Sequence, residues 1–287
     1  MELTKQAVQE FAKSIGIDLV GFAARDRFEG LPANENPFSI APEGKTVIVL
    51  GKRITRGTLR GVEEGTNFGD YSLFGMEWLD KDYNAEGCYN LVRFIEDFGK
   101  EAVPLFPNPK EVKGFGIPVR PGAPAPDVVP DFAYAATACG LGVVGLNGLF
   151  LTKRFGPRQR LMMIITEAEF ESDPLVTETL CDQCGACQRA CPLHAIGDNC
   201  ANFEVCDLSI PVADINLNLC RICKNGAYPN YINEQAAPDR IAALCSRACM
   251  IHLEEKGLIE NVFENKFRTH ETWAVDLYGK NVSPSGE

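Results

Sequence analysis

Apolar positions in the first fifty residues follow first a helical and then a strand period. Residues 3–15 have the helical period, and Gly16 follows as a C-cap. Residues 17–22 and 46–51 are predicted to be strands. The second strand is an almost continuous apolar run, which indicates a central position in a sheet. The chain therefore begins as a helix followed by a sheet.

The pattern continues to residue 166 with alternating helices and strands. It predicts a helix over 80–98 ended by Gly99, an edge strand over 102–106, a helix over 132–139, and strands over 149–151 and 161–166. Proline and glycine crowd residues 107–130, so we expect no regular structure there. These elements predict a sheet accompanied by helices in the N-terminal part.

A glycine motif, Gly140-Leu-Gly142-Val-Val-Gly145, matches the dinucleotide-binding fingerprint by letter. That fingerprint must follow a strand and open a helix, so that the pyrophosphate meets the helix N-terminus. Here the helix comes first and the strand second. We therefore interpret the glycines as a tight turn that brings backbone close to a cofactor or to another element.

Charge and composition narrow the classes of function and the compartment that we expect for this chain. The formal net charge is −11, which weighs against non-specific nucleic-acid binding, and no apolar run approaches the length of a membrane span. The N-terminus has no secretory pattern, so we expect a cytoplasmic protein. Ten of the twelve cysteines lie between Cys181 and Cys249, which indicates a separate metal-binding module. We expect the other two, Cys88 and Cys139, to be buried as small apolar residues.

The strongest motif is a Cys-x2-Cys-x2-Cys-x3-Cys-Pro run. Its residues are Cys181, Cys184, Cys187, Cys191 and Pro192. This is the ferredoxin spacing, in which three thiolates of one turn bind three corners of a [4Fe–4S] cluster. In two-cluster proteins the fourth cysteine binds the other cluster, so a second set of cysteines is expected later in the chain.

Cys220-Arg-Ile-Cys223 and Cys245-Ser-Arg-Ala-Cys249 supply that set as one split motif. Under the crossed rule, Cys249 completes the first cluster and Cys191 completes the second. The alternative uses Cys206, or Cys200, as a ligand of the second cluster. A zinc ribbon and a disulfide scaffold are the competing interpretations of the cysteines as a whole.

Several segments together resemble the epoxyqueuosine reductases and the related reductive dehalogenases. They are Asp127-Val-Val-Pro130, residues 135–148, Phe155-Gly156, and the cysteine run with Ala195-Ile196 after it. The resemblance implies an α+β fold, with a nitroreductase-like domain of the cobalamin-reductase type over residues 1–170. A ferredoxin-like domain with two [4Fe–4S] clusters and a C-terminal helical tail would cover residues 171–287.

The resemblance also implies a cofactor site. A corrinoid such as cobalamin would lie between the near cluster and a glycine-rich turn; nitroreductase-like domains also hold flavin. The residues implied for that turn are Gly140, Gly142, Gly145, Asn147 and Gly148. Asp127 stands where the family has a proton donor; the other interpretation, which we slightly favour, is a turn residue ahead of Pro130. A donor carboxyl would need burial to keep its proton at neutral pH.

The sequence therefore predicts an iron–sulfur oxidoreductase. Electrons would come from a ferredoxin or flavodoxin and pass through the clusters to a corrinoid or a small-molecule substrate. The acidic charge and the absence of the family's C-terminal helical-repeat domain argue against tRNA as a partner. The alternative is a non-catalytic ferredoxin-type carrier or adaptor, whose N-terminal domain binds another protein.

Overall fold

The computed structural model describes residues 2–111, 114, 116–178 and 180–284. The chain forms two compact units that are not continuous in sequence. The first unit contains residues 1–53, 78–141 and 160–176, and the second contains residues 54–77, 142–159 and 177–287. Two segments that precede the ten clustered cysteines, residues 54–77 and 142–159, thus belong to the unit that carries those cysteines.

The helices and strands are numbered in chain order. The α-helices are α1 Lys5–Ser14, α2 Arg60–Glu63, α3 Ala85–Glu96, α4 Phe132–Ala138, α5 Ala186–Arg189, α6 Leu217–Arg221 and α7 Leu244–Glu255. The strands are β1 Leu19–Ala24, β2 Thr46–Arg53, β3 Ala102–Leu105, β4 Val143–Val144, β5 Phe150–Leu151, β6 Gln159–Thr166, β7 Ile196–Val205 and β8 Leu208–Ile215.

The first unit is built on a four-stranded sheet in the order β1-β2-β6-β3. The pairs β1/β2 and β3/β6 are antiparallel. As predicted, the apolar strand β2 lies inside the sheet and is buried from Thr46 to Gly51, whereas β3, which contains Pro104, is an edge strand. The expected α+β character of this part is confirmed.

Helices α1 and α3 cover this sheet with a shared apolar core. The rings of Phe11 and Phe94 stack at 4.3 Å between centroids. Thr4 caps α1 by accepting the Ala7 N–H, and Gly16 follows with φ of 75°. The helix predicted from residue 80 becomes α-helical only at Ala85, because a wider π-helical segment occupies Leu79–Asn84. Cys88 and Cys139 are buried here, as expected.

The second unit contains a long antiparallel hairpin, β7–β8, that the sequence pattern did not predict. Most of the residues of β7 are exposed, so the strand has no apolar alternation for a periodicity argument to detect. Val205 pairs with Leu208 around a two-residue turn, where Cys206 adopts φ of 52°. At the other end of the hairpin, Ile196 lies opposite Ile215.

The end of the second unit is less helical than the sequence suggested. Helix α7 ends at Glu255, and no helix occurs among the later described residues, up to 284. That segment is held by buried apolar contacts of Ile259 and Phe267 and by the Arg56 guanidinium, 3.8 Å above the Phe263 ring. Across the described parts of the chain, no helix combines the length and apolarity needed to span a bilayer.

Candidate iron-sulfur site

Four cysteines from two distant segments line one cavity in the second unit. Cys181, Cys184 and Cys187 come from the loop before α5 and from α5 itself, and Cys249 comes from α7. Helices α5 and α7 pack against each other, which brings Cys249 to the run 62 residues before it. The structure thus brings together the set that the crossed rule predicts for the first cluster.

The local backbone explains how three thiols of a short run can face one point. Gln183 and Gly185 both adopt left-handed conformations, with φ of 55° and 72°, so the chain turns sharply between Cys181 and α5. A backbone amide from another segment points toward one of these sulfurs: the Leu146 N–H donates to Cys181 Sγ at 3.4 Å. N–H donation to sulfur favours the thiolate form that binds metal.

A second group of cysteines surrounds the end of the run. Cys191 and Cys220 share one apolar cluster with Ala195. Burial raises the pKa of the Cys220 thiol, with the Arg240 guanidinium opposing it and neighbouring Cys191 and Cys223 adding to it. Cys191, Cys187 and Cys223 likewise act on Cys245. Cys191, Cys220, Cys223 and Cys245 therefore form a second neighbourhood of thiols.

This second neighbourhood also has amide donors on sulfur. The Ala195 N–H donates to Cys191 Sγ at 3.3 Å, and the Asn225 N–H donates to Cys223 Sγ at 3.4 Å. Cys191 of the first run and Cys223 of the split motif thus each accept a backbone hydrogen bond. The pattern is what a ligand sulfur requires, because hydrogen bonds to sulfur tune an iron–sulfur cluster.

The electrostatics of the thiols agree with metal binding. Burial raises the pKa of Cys187 to about 11 and that of Cys245 to about 12. Several thiolates packed this closely out of water require a cation to offset their charge, and iron in a cluster supplies it. The donor chemistry of both groups therefore fits [4Fe–4S] clusters, and within the described chain no cysteine is in a disulfide.

Cys200 and Cys206 lie apart from both groups. Both are exposed and belong to the β7–β8 hairpin, with Cys206 at its tip. At the base of the hairpin, Ile215 packs against the cluster of Cys191 and Cys220. Its strand partner Ile196 is nine residues from Val205 at the tip, so the base and the tip lie about 30 Å apart along the strand. The placement of Cys206 does not support the alternative in which it replaces a ligand of the second group.

Two glycines of the glycine-rich turn lie close to the backbone of other segments. A Cβ on Gly142 would lie 1.9 Å from the Leu151 carbonyl oxygen, and one on Gly140, in the first unit, would lie 2.3 Å from the Pro174 carbonyl oxygen. Gly148 adopts φ of 71°. Gly145 and Asn147 line the same cavity as Cys181. Close approach to other backbone segments explains two of the glycines; a corrinoid contact of this turn stays a prediction.

Asp127 belongs to the first unit and is exposed. The burial that would keep a donor carboxyl protonated is therefore not present in this conformation. Four residues later, Asp131 has a defined structural role that the sequence analysis missed. It caps α4 by accepting the backbone N–H groups of Ala133 and Tyr134. The role of Asp127 as a proton donor stays a prediction.

Two polar residues, His252 and Arg240, lie beside the cysteines. His252 of α7 lines the first cavity, and its Nε2 lies 2.8 Å from a carboxylate oxygen of Asp182. Arg240 is buried and donates to the backbone carbonyl of Asn147 at 3.0 Å. Arg240 is not part of a recognisable motif, so only the tertiary contacts could pair it with Asn147 of the glycine-rich turn.

Comparisons with known proteins agree with this site. Residues 174–197 match the family of 4Fe-4S binding domains. The epoxyqueuosine reductase of Lactococcus garvieae (strain Lg2) is 39% identical over 228 residues, which are 72% of this chain and 60% of that protein. A tetrachloroethene reductive dehalogenase of Desulfitobacterium hafniense is 28% identical over 130 residues, which are 44% of this chain and 20% of that protein.

Solved structures include relatives of both kinds. The catabolic reductive dehalogenase NpRdhA has a TM-score of 0.56 at 15% identity, with 97% of this chain and 40% of that chain covered. This likeness supports the fold. An epoxyqueuosine reductase in complex with an epoxyqueuosine-modified tRNA stem loop has a TM-score of 0.45 at 19% identity, with 67% and 52% covered. The chain spans 60% or less of each curated relative named above.

These relatives correct one expectation, namely that tRNA is not a partner. Curated epoxyqueuosine reductases match as much as 72% of this chain, and an epoxyqueuosine reductase has been solved with a tRNA stem loop. The argument from charge was wrong because a formal net charge describes the whole chain and does not exclude a local basic surface.

The fold, the cysteine-lined cavity and the relatives agree with each other. A mixed α/β fold carries a ferredoxin-type segment, and the sequence matches are to reductases. The chain is an iron–sulfur protein of the epoxyqueuosine reductase and reductive dehalogenase-like kind.

Proposed function

We propose that this protein is a reductase with two [4Fe–4S] clusters, which pass electrons one at a time to an acceptor. Cys181, Cys184, Cys187 and Cys249 hold the first cluster, and the second is held by Cys191, Cys220, Cys223 and Cys245. The observation that carries the proposal is that Cys249 lines the same cavity as the first three cysteines of the run. That crossed use of cysteines is the arrangement of two-cluster ferredoxins.

The two sets adjoin each other, which supports electron transfer between them. Cys187 of the first set and Cys245 of the second belong to one apolar cluster with Leu146 and Ala243. Buried, apolar surroundings keep water away from the path between the clusters. Electrons can therefore cross from one set of ligands to the other without leaving the second unit.

The second set is the entry point in this proposal. Ile222 stands between Cys220 and Cys223 and is 54% exposed, with exposed Arg221 directly before it and exposed Lys224 directly after Cys223. An apolar side chain beside two cations suits the docking of an acidic electron carrier. A ferredoxin or a flavodoxin is the donor that we propose.

The acceptor is a corrinoid or a small substrate bound by a nitroreductase-like first unit. Support comes from the fold likeness to reductive dehalogenases, one of which is described in connection with B12-dependent dehalogenation. Asp127 is the proposed proton donor, and flavin is the other candidate cofactor. An epoxyqueuosine-type substrate carried by tRNA is included, since epoxyqueuosine reductases are among the relatives. Because these relatives are reductases, a non-catalytic carrier is not favoured.

Iron and acid-labile sulfide analysis of anaerobically purified protein tests the ligand assignment. We expect about eight irons per chain, the sum of two cubane clusters. Cys249→Ala and Cys245→Ala should each lose one cluster, leaving about four irons. Cys200→Ala, on the exposed hairpin, is the matched control and should keep the full content. Zinc in place of iron, or full iron in Cys249→Ala, would contradict the assignment.

Anaerobic titration with cobalamin tests the acceptor. We expect a visible spectrum of the base-off form at saturating ligand, and heat denaturation should release no fluorescent flavin. Release of flavin would instead identify flavin as the cofactor. If no spectral change occurs and no flavin is released, the carrier interpretation replaces the reductase. Reduction assays with an epoxyqueuosine-containing tRNA stem loop and with a free epoxide then separate the two substrate classes.

A further inference from the structure

One buried polar group in the second unit has no use within the protein. The Asn147 side chain is 1% exposed, and its Nδ2 has no hydrogen-bond partner in the part of the chain that the structure describes. The residue lines the cavity formed by Cys181, Cys184, Cys187 and Cys249. A buried amide donor without an acceptor destabilises the folded protein, so an acceptor outside the polypeptide is expected.

Two hydrogen bonds hold this asparagine in one orientation. Its Oδ1 accepts the Leu149 N–H at 3.2 Å, and its backbone carbonyl accepts from Arg240 Nη1 at 3.0 Å. A flip of the amide would set the NH2 group against the Leu149 N–H, so the donor must remain the atom that is not used. The orphan group is therefore Nδ2, and the bonds on either side fix its position.

We infer that Asn147 Nδ2 donates a hydrogen bond to a sulfur of the first [4Fe–4S] cluster and raises the reduction potential of that cluster. The inference rests on the proposed function, since it requires iron at the first set of cysteines. The cavity offers sulfur as its acceptor chemistry, and Cys181 Sγ already accepts from the neighbouring Leu146 N–H. Hydrogen bonds to cluster sulfur stabilise the more negative, reduced state.

The second set of cysteines provides a comparison within the same molecule. Asn225 is also fully buried; its Nδ2 donates to the Val275 carbonyl at 2.8 Å and lies 3.8 Å from Cys223 Sγ, and its Oδ1 accepts the Val275 N–H at 2.8 Å. The Asn225 amide therefore has a backbone acceptor within the protein in addition to its sulfur contact. Asn147 differs because its Nδ2 has no acceptor among the described residues. A sulfur of the first cluster would be the acceptor that this donor lacks.

The test is a redox titration of the anaerobic holoprotein monitored by electron paramagnetic resonance, with Asn147→Ser against the wild type. Serine keeps an oxygen that can accept the Leu149 N–H but removes the amide donor. We expect the equilibrium constant for reduction of one cluster to fall about tenfold, which is about 59 mV for a one-electron couple. The midpoint of the other cluster should not move. Two unchanged midpoints, or equal shifts of both, would overturn the inference.

A second measurement covers the case in which Asn147→Ser does not keep its iron. Asn225→Asp protein, which keeps Asn147, is grown with asparagine labelled with ¹⁵N in the side-chain amide and reduced, and the ¹⁵N hyperfine coupling to the clusters is measured. That background removes the other labelled amide near sulfur. A ¹⁵N coupling supports the inference, and its absence overturns it. Iron below about eight per chain in the wild type would instead count against the proposed function.

Discussion

Glu63 shows how a single buried residue organises the second unit. It is 1% exposed, and its carboxylate binds Arg247 Nε at 2.6 Å and Arg268 Nε at 2.5 Å. Burial by itself would raise the pKa of Glu63, but the hydrogen bond from Arg268 and the charges of Arg247 and Arg268 outweigh it, so the pKa lies below the usual value. Glu63 therefore stays ionised, and the fully buried Arg247 depends on it.

Replacing this carboxylate should be severely destabilising. We expect Glu63→Gln to lower the free energy of unfolding by about 3–5 kcal/mol at pH 7, because Arg247 is left as a buried, uncompensated charge. Since the pKa of Glu63 is lowered in the folded state, its contribution is present above pH 4.5 and is lost as the pH falls further. Urea unfolding of the anaerobic holoprotein measures the difference.

The neighbouring Glu64 is the matched control. It forms a half-exposed pair with Arg60 one helical turn away, at 3.0 Å. Glu64→Gln should cost no more than about 1 kcal/mol, because exposed ion pairs contribute little. Equal costs at the two positions would contradict the view that Glu63 acts through a buried network.

At the scale of elements, the β7–β8 hairpin separates Cys206 from the ligand cysteines. The residue occupies the turn with φ of 52°, a conformation that asparagine adopts more readily than cysteine. We expect Cys206→Asn to keep the full iron content and to unfold at an equal or higher temperature, with a gain of up to about 1 kcal/mol. Iron analysis and thermal unfolding check this, and a loss of iron would show that Cys206 is a ligand.

Helix α4 depends on its N-cap. Asp131 accepts the N–H groups of Ala133 and Tyr134, which have no partner inside the helix. Asp131→Ala should lower the free energy of unfolding by about 1 kcal/mol. Lys110→Ala removes only the exposed ion pair to Asp131, at 3.0 Å, and is the control. If both variants cost the same in chemical denaturation, the ion pair, and not the cap, would be the stabilising contact.

At the scale of the whole molecule, the two units have different kinds of core. The first unit has a core of aliphatic and aromatic side chains around the sheet, including Phe22, Ile48 and Leu91. Apolar clusters of the second unit include Cys187, Cys245, Cys191 and Cys220. If these cysteines are ligands as proposed, the core of the second unit is complete only with its metal, because metal binding and folding are coupled at such sites.

Removing the clusters should therefore loosen the second unit selectively. After anaerobic chelation of the iron, we expect hydrogen exchange at the Leu146 and Ala195 amides to accelerate at least tenfold, because both donate to ligand sulfurs. Amides of β2 in the first unit should keep their protection. Mass spectrometry of exchange with and without iron measures both regions, and uniform acceleration would contradict a separate first core.

Much of the first unit could be predicted, because its signals are local. The helical spacing before Gly16, the apolar run of β2 and the Pro104 edge strand each depend on a few neighbouring residues, and all appear in the structure. The β7–β8 hairpin could not be predicted, since its strands are largely exposed and have no apolar alternation. Nor does any local pattern indicate that Arg158 is fully buried and donates to the carbonyl of Ile54, a residue 104 positions earlier.

By itself, the sequence determined the chemistry of this protein. An iron–sulfur site is indicated by the spacing of Cys181, Cys184, Cys187 and Cys191, which can be read from the sequence without any tertiary contact. The tertiary structure decided which distant groups join them: Cys249 in the first cavity, Cys206 far from it, and Asn147 with an unused donor beside it. The reason is physical. Ligand spacing within one turn is a local property, whereas the partner of a buried polar group depends on packing between segments far apart in the chain.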